Sequence, residues 1–171
     1  GNFDWINDAD SVRAWLWDIG QLGSQYFAVG DLGTILSSPD GVHWELNLVP
    51  GSAADSVIMG IGGVPGLFVA VGSRGTILTS ANGVVWGAVT PSPVQNDLQG
   101  VAVWGGEIFV SGGAGTILST TDGASWRVRP APTTAFLSSL AATPRGLVCA
   151  GADGMLFTST DGSGWTRRMT G

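Results

Sequence analysis

The chain has 171 residues, of which only 12% are charged, and its formal net charge at pH 7 is −6. All seven basic residues are arginine, and an acidic chain of this kind lacks the clustered basic surface that nucleic acids require. The single cysteine, Cys149, excludes an internal disulfide framework, and no apolar run approaches the ~18–20 residues of a membrane-spanning helix, so no membrane insertion is predicted.

Four copies of one strand-rich unit follow one another along the chain. Each copy contains a segment that ends in tryptophan. In every copy a glycine lies 11 residues before that tryptophan, as Gly33 does before Trp44. The segments run from 26 to 44, 68 to 86, 108 to 126 and 147 to 165. Trp5 lies 39 residues before Trp44 and belongs to the same series. A repeat of roughly 40 residues predicts stacked supersecondary units.

Each unit is predicted to form four antiparallel strands, which we label A (inner) to D (outer). Strand A is a weak apolar run, predicted at 16–22, 58–64, 98–104 and 137–143. Strand B, as in Phe68-Val69-Ala70-Val71, is apolar on both faces, strand C has a Thr-Ile-Leu pattern, and strand D begins at the tryptophan. Because strand B is apolar on both faces, each sheet needs a neighbour on either side.

The residues that close each repeat are predicted to be structural. An Asp-Gly or Asn-Gly pair precedes each D strand and suits a tight hairpin turn. We expect its side chain to accept backbone N–H groups of its own turn, with the tryptophan packed over the hairpin. The predicted structural positions are Trp5, Asp40, Trp44, Asn82, Trp86, Asp122, Trp126, Asp161 and Trp165.

The predicted fold class is all-β: a β-propeller, or a half-propeller arc, of four roughly 40-residue, four-stranded antiparallel blades. A solenoid of strands is the alternative, but its repeats are usually shorter than about 40 residues. We predict one domain, 1–171, with blades at about 11–50, 56–91, 97–131 and 136–170. The outer strand of a preceding blade is predicted at about 4–8.

Two sequence elements resemble known propeller repeats. The element Ser-Pro-Asp-Gly-Val-His-Trp at 38–44 resembles the Asp-box, or bacterial neuraminidase (BNR), repeat, with one residue fewer between Asp and Trp. The longer pattern at 69–80, Val-Ala-Val-Gly-Ser-Arg-Gly-Thr-Ile-Leu-Thr-Ser, is similar to bacterial propellers of the photosystem II assembly-factor type. The resemblance covers nearly the whole chain and implies a propeller. Such repeats occur in glycosidases, sorting receptors, assembly factors and lectins, so function must be argued separately.

A catalytic site is not predicted. The sialidase resemblance would imply an arginine triad and a tyrosine nucleophile, but the only tyrosine, Tyr26, falls at a core strand position. Four of the seven arginines fall on D strands, far from an axis. Asp18, Asp31 and Asp153 could approach an axial cleft as the carboxylates of another glycosidase type, although no motif selects them. We therefore predict a non-enzymatic chain with no metal and no cofactor.

Binding residues are predicted on the D–A loops and B–C turns, which share one face. All length variation falls between the tryptophan and the next A strand, at 11, 14, 12 and 11 residues, and loops on a rigid scaffold commonly carry binding residues. Two tryptophans there, Trp15 and Trp17, could stack on a sugar or anchor a side chain. The other copies place Val57 and Met59, Asp97 and Gln99, or Phe136 and Ser138 at these positions. The apolar residues among them favour tryptophans that cover an exposed blade face or pack into the core. The candidates are Arg13, Trp15, Trp17, Asp55, Arg74, Asp97 and Asp153.

The favoured function is a binding or scaffold module that uses this loop face to bind a protein or peptide. Two alternatives stay open: a carbohydrate-binding (lectin-like) or glycosidase-related propeller, and a structural segment of a longer propeller. An open arc would expose two apolar faces. We therefore predict a homodimer that completes an eight-bladed ring, or closure by the remaining blades of a longer chain. A periplasmic or extracellular bacterial location is expected.

Overall fold

The computed structural model describes residues 14–169, which form sixteen β-strands in four sheets. The first two sheets contain β1 (Leu16–Leu22), β2 (Gln25–Gly30), β3 (Ile35–Ser38), β4 (Glu45–Leu46), β5 (Ile58–Val64), β6 (Leu67–Gly72), β7 (Ile77–Ser80) and β8 (Gly87–Ala88). The last two contain β9 (Leu98–Trp104), β10 (Glu107–Gly112), β11 (Ile117–Thr120), β12 (Arg127–Arg129), β13 (Leu137–Thr143), β14 (Gly146–Gly151), β15 (Leu156–Ser159) and β16 (Thr166–Arg168). Over 14–169, no helix has the length and apolar character needed to cross a bilayer.

Each sheet is a blade of four consecutive strands paired antiparallel in chain order, which we number blade 1 (β1–β4) to blade 4 (β13–β16). The predicted fold class is therefore confirmed. The four A strands, β1, β5, β9 and β13, also have the predicted bounds. The D strands differ slightly, because each begins one residue after its tryptophan. Trp5, Arg13 and the predicted strand at 4–8 lie outside the described residues.

Neighbouring blades pack face to face through apolar clusters. Between blades 1 and 2, the Phe27 ring lies 5.3 Å from Phe68 and 6.3 Å, edge-on, from Trp86. Between blades 2 and 3, alternate β6 residues, Val69 and Val71, point the other way. Strand B is therefore apolar on both faces because its alternating side chains serve two different junctions.

The A strands are innermost and pack in the series β1, β5, β9, β13. Among the described residues, β13 makes no comparable packing with β1. The four blades are thus held as a consecutive series by three junctions. Within residues 14–169, this arrangement leaves one face of blade 1 and one face of blade 4 without a neighbouring blade.

The Asp-Gly pair, which is Asn-Gly in blade 2, forms the same turn in each blade. In blade 3, Asp122 Oδ1 accepts hydrogen bonds from the N–H groups of Ala124 (2.9 Å) and Ser125 (2.7 Å). The N–H of Gly123, whose φ is 74°, donates to Thr120 Oγ1 at 2.8 Å. The bonds from Ser125 and then Ala124 lower the pKa of the Asp122 carboxyl to about 2, because they favour its charged form.

Removing this charge should change how stability depends on pH. Asp122→Asn keeps an oxygen acceptor, as Asn82 does naturally in blade 2 with Val84 and Val85 at 3.0 Å. A carboxyl whose folded-state pKa is lowered stabilises the fold above its unfolded pKa, and this contribution is lost as pH falls through the folded pKa. Urea unfolding should therefore show wild type more stable than the variant at pH 5, with the difference vanishing towards pH about 2.

The reciprocal variant provides the control. Asn82→Asp places a carboxylate in the same turn of blade 2, where two N–H groups already face the side-chain oxygen. It should gain stability above pH about 4 relative to pH about 2. A wild-type–Asp122→Asn difference that is constant from pH 5 to pH 2 would show that these bonds are not charge-dependent.

Candidate binding face and axial cleft

The D–A loops and B–C turns meet on one face of the arc. The Gly33 N–H donates to Ser56 O at 2.7 Å, which joins the B–C turn of blade 1 to the loop before β5. An equivalent bond joins Gly115 N–H to Ala135 O at 2.8 Å. These bonds tie the turns of blades 1 and 3 to the loops that enter blades 2 and 4, so the loop face is joined across those two blade boundaries.

One exposed side chain projects from each B–C turn. The residue before the glycine that ends the turn has a left-handed backbone in all four blades, with φ between 54° and 56°. These residues are Leu32, Arg74, Ala114 and Asp153. Because the backbone is the same in each blade and the side chain is not, the turns present four different groups on one scaffold.

Three predicted binding residues come together where blades 2 and 3 meet. The backbone N–H of Arg74 donates to Asp97 Oδ1 at 2.8 Å, and its guanidinium Nη2 donates to Asp55 O at 3.4 Å. All three residues are exposed. Asp153 lies on the B–C turn of blade 4 and does not belong to this group.

An axial cleft of about 490 Å³ runs between the A strands. The second residue of each A strand contributes a different side chain to its wall: Trp17, Met59, Gln99 and Ser138. The wall therefore combines an aromatic ring, a flexible thioether, an amide and a hydroxyl. The accessible surface of this wall is mainly polar, so the cleft suits a ligand with many hydrogen-bonding groups.

Asp18 is the carboxylate that lines this cleft. Its Oδ1 accepts the N–H of Ile19 at 2.8 Å, and its Oδ2 accepts the N–H of Ile61, on the A strand of the next blade, at 3.0 Å. Burial raises the pKa of the Asp18 carboxyl, and the two amide bonds oppose this effect without cancelling it. Asp18 therefore joins blades 1 and 2 and places negative potential in the cleft.

The two tryptophans of blade 1 form an aromatic platform at the cleft mouth. Trp15 is 72% exposed and Trp17 is 52% exposed, and their ring centroids lie 6.2 Å apart with a 41° tilt. The Trp17 Nε1–H donates to Asp31 Oδ1 at 2.7 Å, which fixes the orientation of the ring. Both rings are more than half exposed, so they do not pack into the core, and Trp17 faces the axial cleft.

Five of the seven candidate residues thus divide into two groups. Trp17 lines the cleft with Trp15 beside it, whereas Asp55, Arg74 and Asp97 form a separate group on the loop face. Met59, Gln99 and Ser138 were recognised only as equivalents of Trp17. Their shared position in strand A was the signal that they line the same cleft.

Of the three carboxylates considered for glycosidase chemistry, Asp18 alone lines the cleft. Asp31 holds Trp17 and Asp153 lies on a turn. Within residues 14–169, no group of three or more His, Cys, Asp or Glu side chains is placed to hold a metal ion. The Cys149 thiol is buried, and burial raises its pKa to about 11.

Four-stranded antiparallel blades, stacked with their first strands around an axial cleft, define this chain as β-propeller structure. The family model described as the DUF6242 beta propeller domain matches residues 53–170, and the chain belongs to this family. No curated protein matches the chain significantly.

Several solved structures share the fold. The structure of YCF48 bound to D1 peptide is 20% identical with a TM-score of 0.74, over 92% of this chain and 54% of that one. YCF48 from Cyanidioschyzon merolae is 18% identical with a TM-score of 0.71, over 94% of this chain and 58% of that one. An extracellular domain assigned to a hybrid two-component system of B. thetaiotaomicron is 12% identical with a TM-score of 0.69, over 92% and 22%. The chain thus spans about half the length of the YCF48 structures.

Proposed function

We propose that this chain is a non-enzymatic binding module that holds a protein or peptide on the loop face and in the axial cleft. The observation that carries the proposal is the cleft itself, which combines the Trp17 ring and the Asp18 carboxylate of β1 with the Gln99 amide of β9. An extended peptide offers both the apolar side chains and the backbone polar groups that such a wall can bind. Similarity to YCF48 bound to D1 peptide supports this choice.

The same geometry disfavours catalysis. Both oxygens of Asp18 accept backbone N–H groups, and one of those bonds holds the neighbouring blade. A glycosidase of the usual type needs two carboxyl groups facing one glycosidic bond. In the described part of the cleft wall, Asp18 is the single carboxylate. We therefore infer that Asp18 attracts positively charged groups of a ligand and holds blades 1 and 2 together, without transferring a proton.

Carbohydrate binding is the second candidate function, and the exposed Trp15–Trp17 platform is the observation that favours it. Exposed aromatic rings can stack against the apolar faces of sugar rings. Parallel screening of the purified chain on a peptide array and a glycan array separates the two functions. We expect peptides to be retained and Trp17→Ala to reduce that retention. Retention of glycans alone, with loss in Trp17→Ala, would replace our proposal with the lectin function.

A charge on the loop face should affect peptide binding without affecting the fold. For a peptide retained on the array, we expect Arg74→Glu to change the dissociation constant about tenfold, or ~1.4 kcal/mol. The direction depends on the charge of the peptide. Fluorescence anisotropy measures the affinity, and the melting temperature should change by no more than a few degrees because Arg74 is exposed.

Arg145→Glu is the matched control, since Arg145 is exposed on the A–B turn at the opposite face. Glu107, also on that face, is unsuitable because its carboxylate pairs with Arg129 at 2.7 Å in a partly buried site. An effect of Arg145→Glu equal to that of Arg74→Glu would show that the loop face is not the binding face.

We further propose that the ring is completed by self-association, as two copies forming eight blades. The number lies within the range of about four to eight blades of known closed propellers. The two blade faces that lack a neighbour within this chain are the reason for the proposal. The remaining blades of a longer chain would provide the same closure. The measurements below test self-association of the chain itself.

A further inference from the structure

Blade 1 exposes apolar side chains whose equivalents at the internal junctions are buried or, at Val101, partly buried. Leu16 and Ile19 of β1 are 54% and 65% exposed. Their equivalents in β5, Ile58 and Ile61, are 0% and 6% exposed because they pack against blade 1. The exposed face of blade 1 therefore has the same side-chain pattern as the face of blade 2 that packs against blade 1.

Blade 4 presents the complementary half of such a junction. Val148 of β14 and Leu156 of β15 are only partly buried. Their equivalents in blade 3, Phe109 and Ile117, are buried against blade 4. Blade 1 therefore exposes the type of face that packs against a preceding blade. Blade 4 exposes the type of face that packs against a following blade.

The hairpin of blade 1 shows the same unfilled contact. In blade 2, a Cβ added at Gly83 would lie 2.5 Å from the Phe27 ring of blade 1, and in blade 3 one added at Gly123 would lie 2.6 Å from Leu67 Cδ1 of blade 2. At Gly41 the nearest such atom is in Tyr26 of blade 1 itself, at 3.9 Å. Among residues 14–169, the turn of blade 1 thus lacks the contact that the turns of blades 2 and 3 make with a preceding blade.

The third residue of each A strand sets the register between blades. Asp18 bonds to the N–H of Ile61, and a Cβ at Gly100 would lie 2.8 Å from the backbone N of Leu140. Each of these residues thus meets the backbone of the next A strand. In β13 the third residue is Ser139, which is exposed.

We propose that a second copy of this chain docks head to tail, with blade 4 of one copy on blade 1 of the other, in the register of the internal junctions. Ser139 of one copy then lies beside Ile19 of the other, as Asp18 lies beside Ile61. Two such junctions related by a twofold axis close a ring. The inference deepens the self-association proposed above, because the second copy's A strands supply the missing wall of the axial cleft.

Sedimentation equilibrium of the whole chain tests the assembly. Wild type should sediment at twice the 17.5 kDa chain mass at micromolar concentration. Ile19→Asp should sediment as a monomer, because it buries a charge in the junction. Val128→Asp is the matched control and should stay dimeric, since Val128 is 67% exposed on the outer strand β12. A monomeric wild type, or a dimeric Ile19→Asp variant, overturns the proposal.

Disulfide trapping tests the register. The double variant Ile19→Cys with Ser139→Cys should form covalent dimers under mild oxidation, whereas neither single variant should. Cys149 does not compete because it is buried, with a thiol pKa of about 11. Trapping by Ile19→Cys alone would show two blade 1 faces paired with each other, and this overturns the head-to-tail arrangement. Peptide binding is measured in a separate experiment. A failure of the assembly proposal is therefore distinguished from a failure of the peptide-binding proposal.

Discussion

Trp86→Ala is expected to destabilise the chain by about 3–5 kcal/mol, the range for removing a large aromatic side chain from a core. Trp86 is 4% exposed and its ring meets Phe27 edge-on across the junction of blades 1 and 2. Its Nε1–H also donates to Gly83 O at 3.1 Å. The substitution therefore removes apolar contact between two blades and a bond within the hairpin. Urea unfolding followed by far-UV circular dichroism measures the loss.

Trp44→Ala is the matched control for this prediction. Trp44 makes the same hairpin bond, to Gly41 O at 3.2 Å, but it is only partly buried. Both substitutions should be compared in the Ile19→Asp variant, so that self-association does not cover Trp44. There, Trp44→Ala should cost only about 1–2 kcal/mol. Equal losses would show that the tryptophan acts within its own hairpin and not across the blade junction.

Gly60→Ala is expected to destabilise the chain by about 3 kcal/mol, at the upper end of the usual cost of overpacking. A Cβ at Gly60 would lie inside the van der Waals distance of the Gln99 carbonyl oxygen. The backbone of β5 fixes the position of the Cβ, and the carbonyl oxygen belongs to the backbone of β9. No side-chain rotation therefore relieves the contact. The strands β5 and β9 must separate, which also widens the axial cleft. The loss should appear as a lower urea midpoint and as weaker peptide binding.

Gly20→Ala serves as the control, because Gly20 lies in the A strand of blade 1 and a Cβ there would make ordinary contacts with Ile61 at 3.7 and 3.9 Å. Its effect on the free energy of unfolding should be within about 0.5 kcal/mol. If Gly60→Ala were equally harmless, the A strands would not be held in close contact, and the cleft wall would be less rigid than we infer.

The blade repeat was predictable from the sequence because its signals are local. Each A strand is bounded by turn residues and each B strand by a glycine pair, so the bounds of β1, β5, β9 and β13 could be placed from one alignment of the four copies. The Asp-Gly turns were equally predictable, since the side chain bonds to N–H groups only two and three residues away.

The cleft depended on contacts that no local pattern contains. Trp17 and Gln99 are 82 positions apart in the chain, and they meet only because three A strands pack around one axis. The two bonds of Asp18 likewise join one residue to its chain neighbour and to a strand 43 residues later. Sequence alignment put Trp17 and Gln99 at equivalent positions, but it could not tell whether that position faces the cleft or a neighbouring blade.

The sequence by itself therefore determined the repeat, the number of blades and the strand order, because hydrophobic alternation and turn chemistry act within about 40 residues. The tertiary structure decided which side chains face the axis and which blade faces are free. Those properties depend on packing between blades: Ile61 is buried by blade 1, whereas Ile19, at the same place in its own blade, has no preceding blade to bury it.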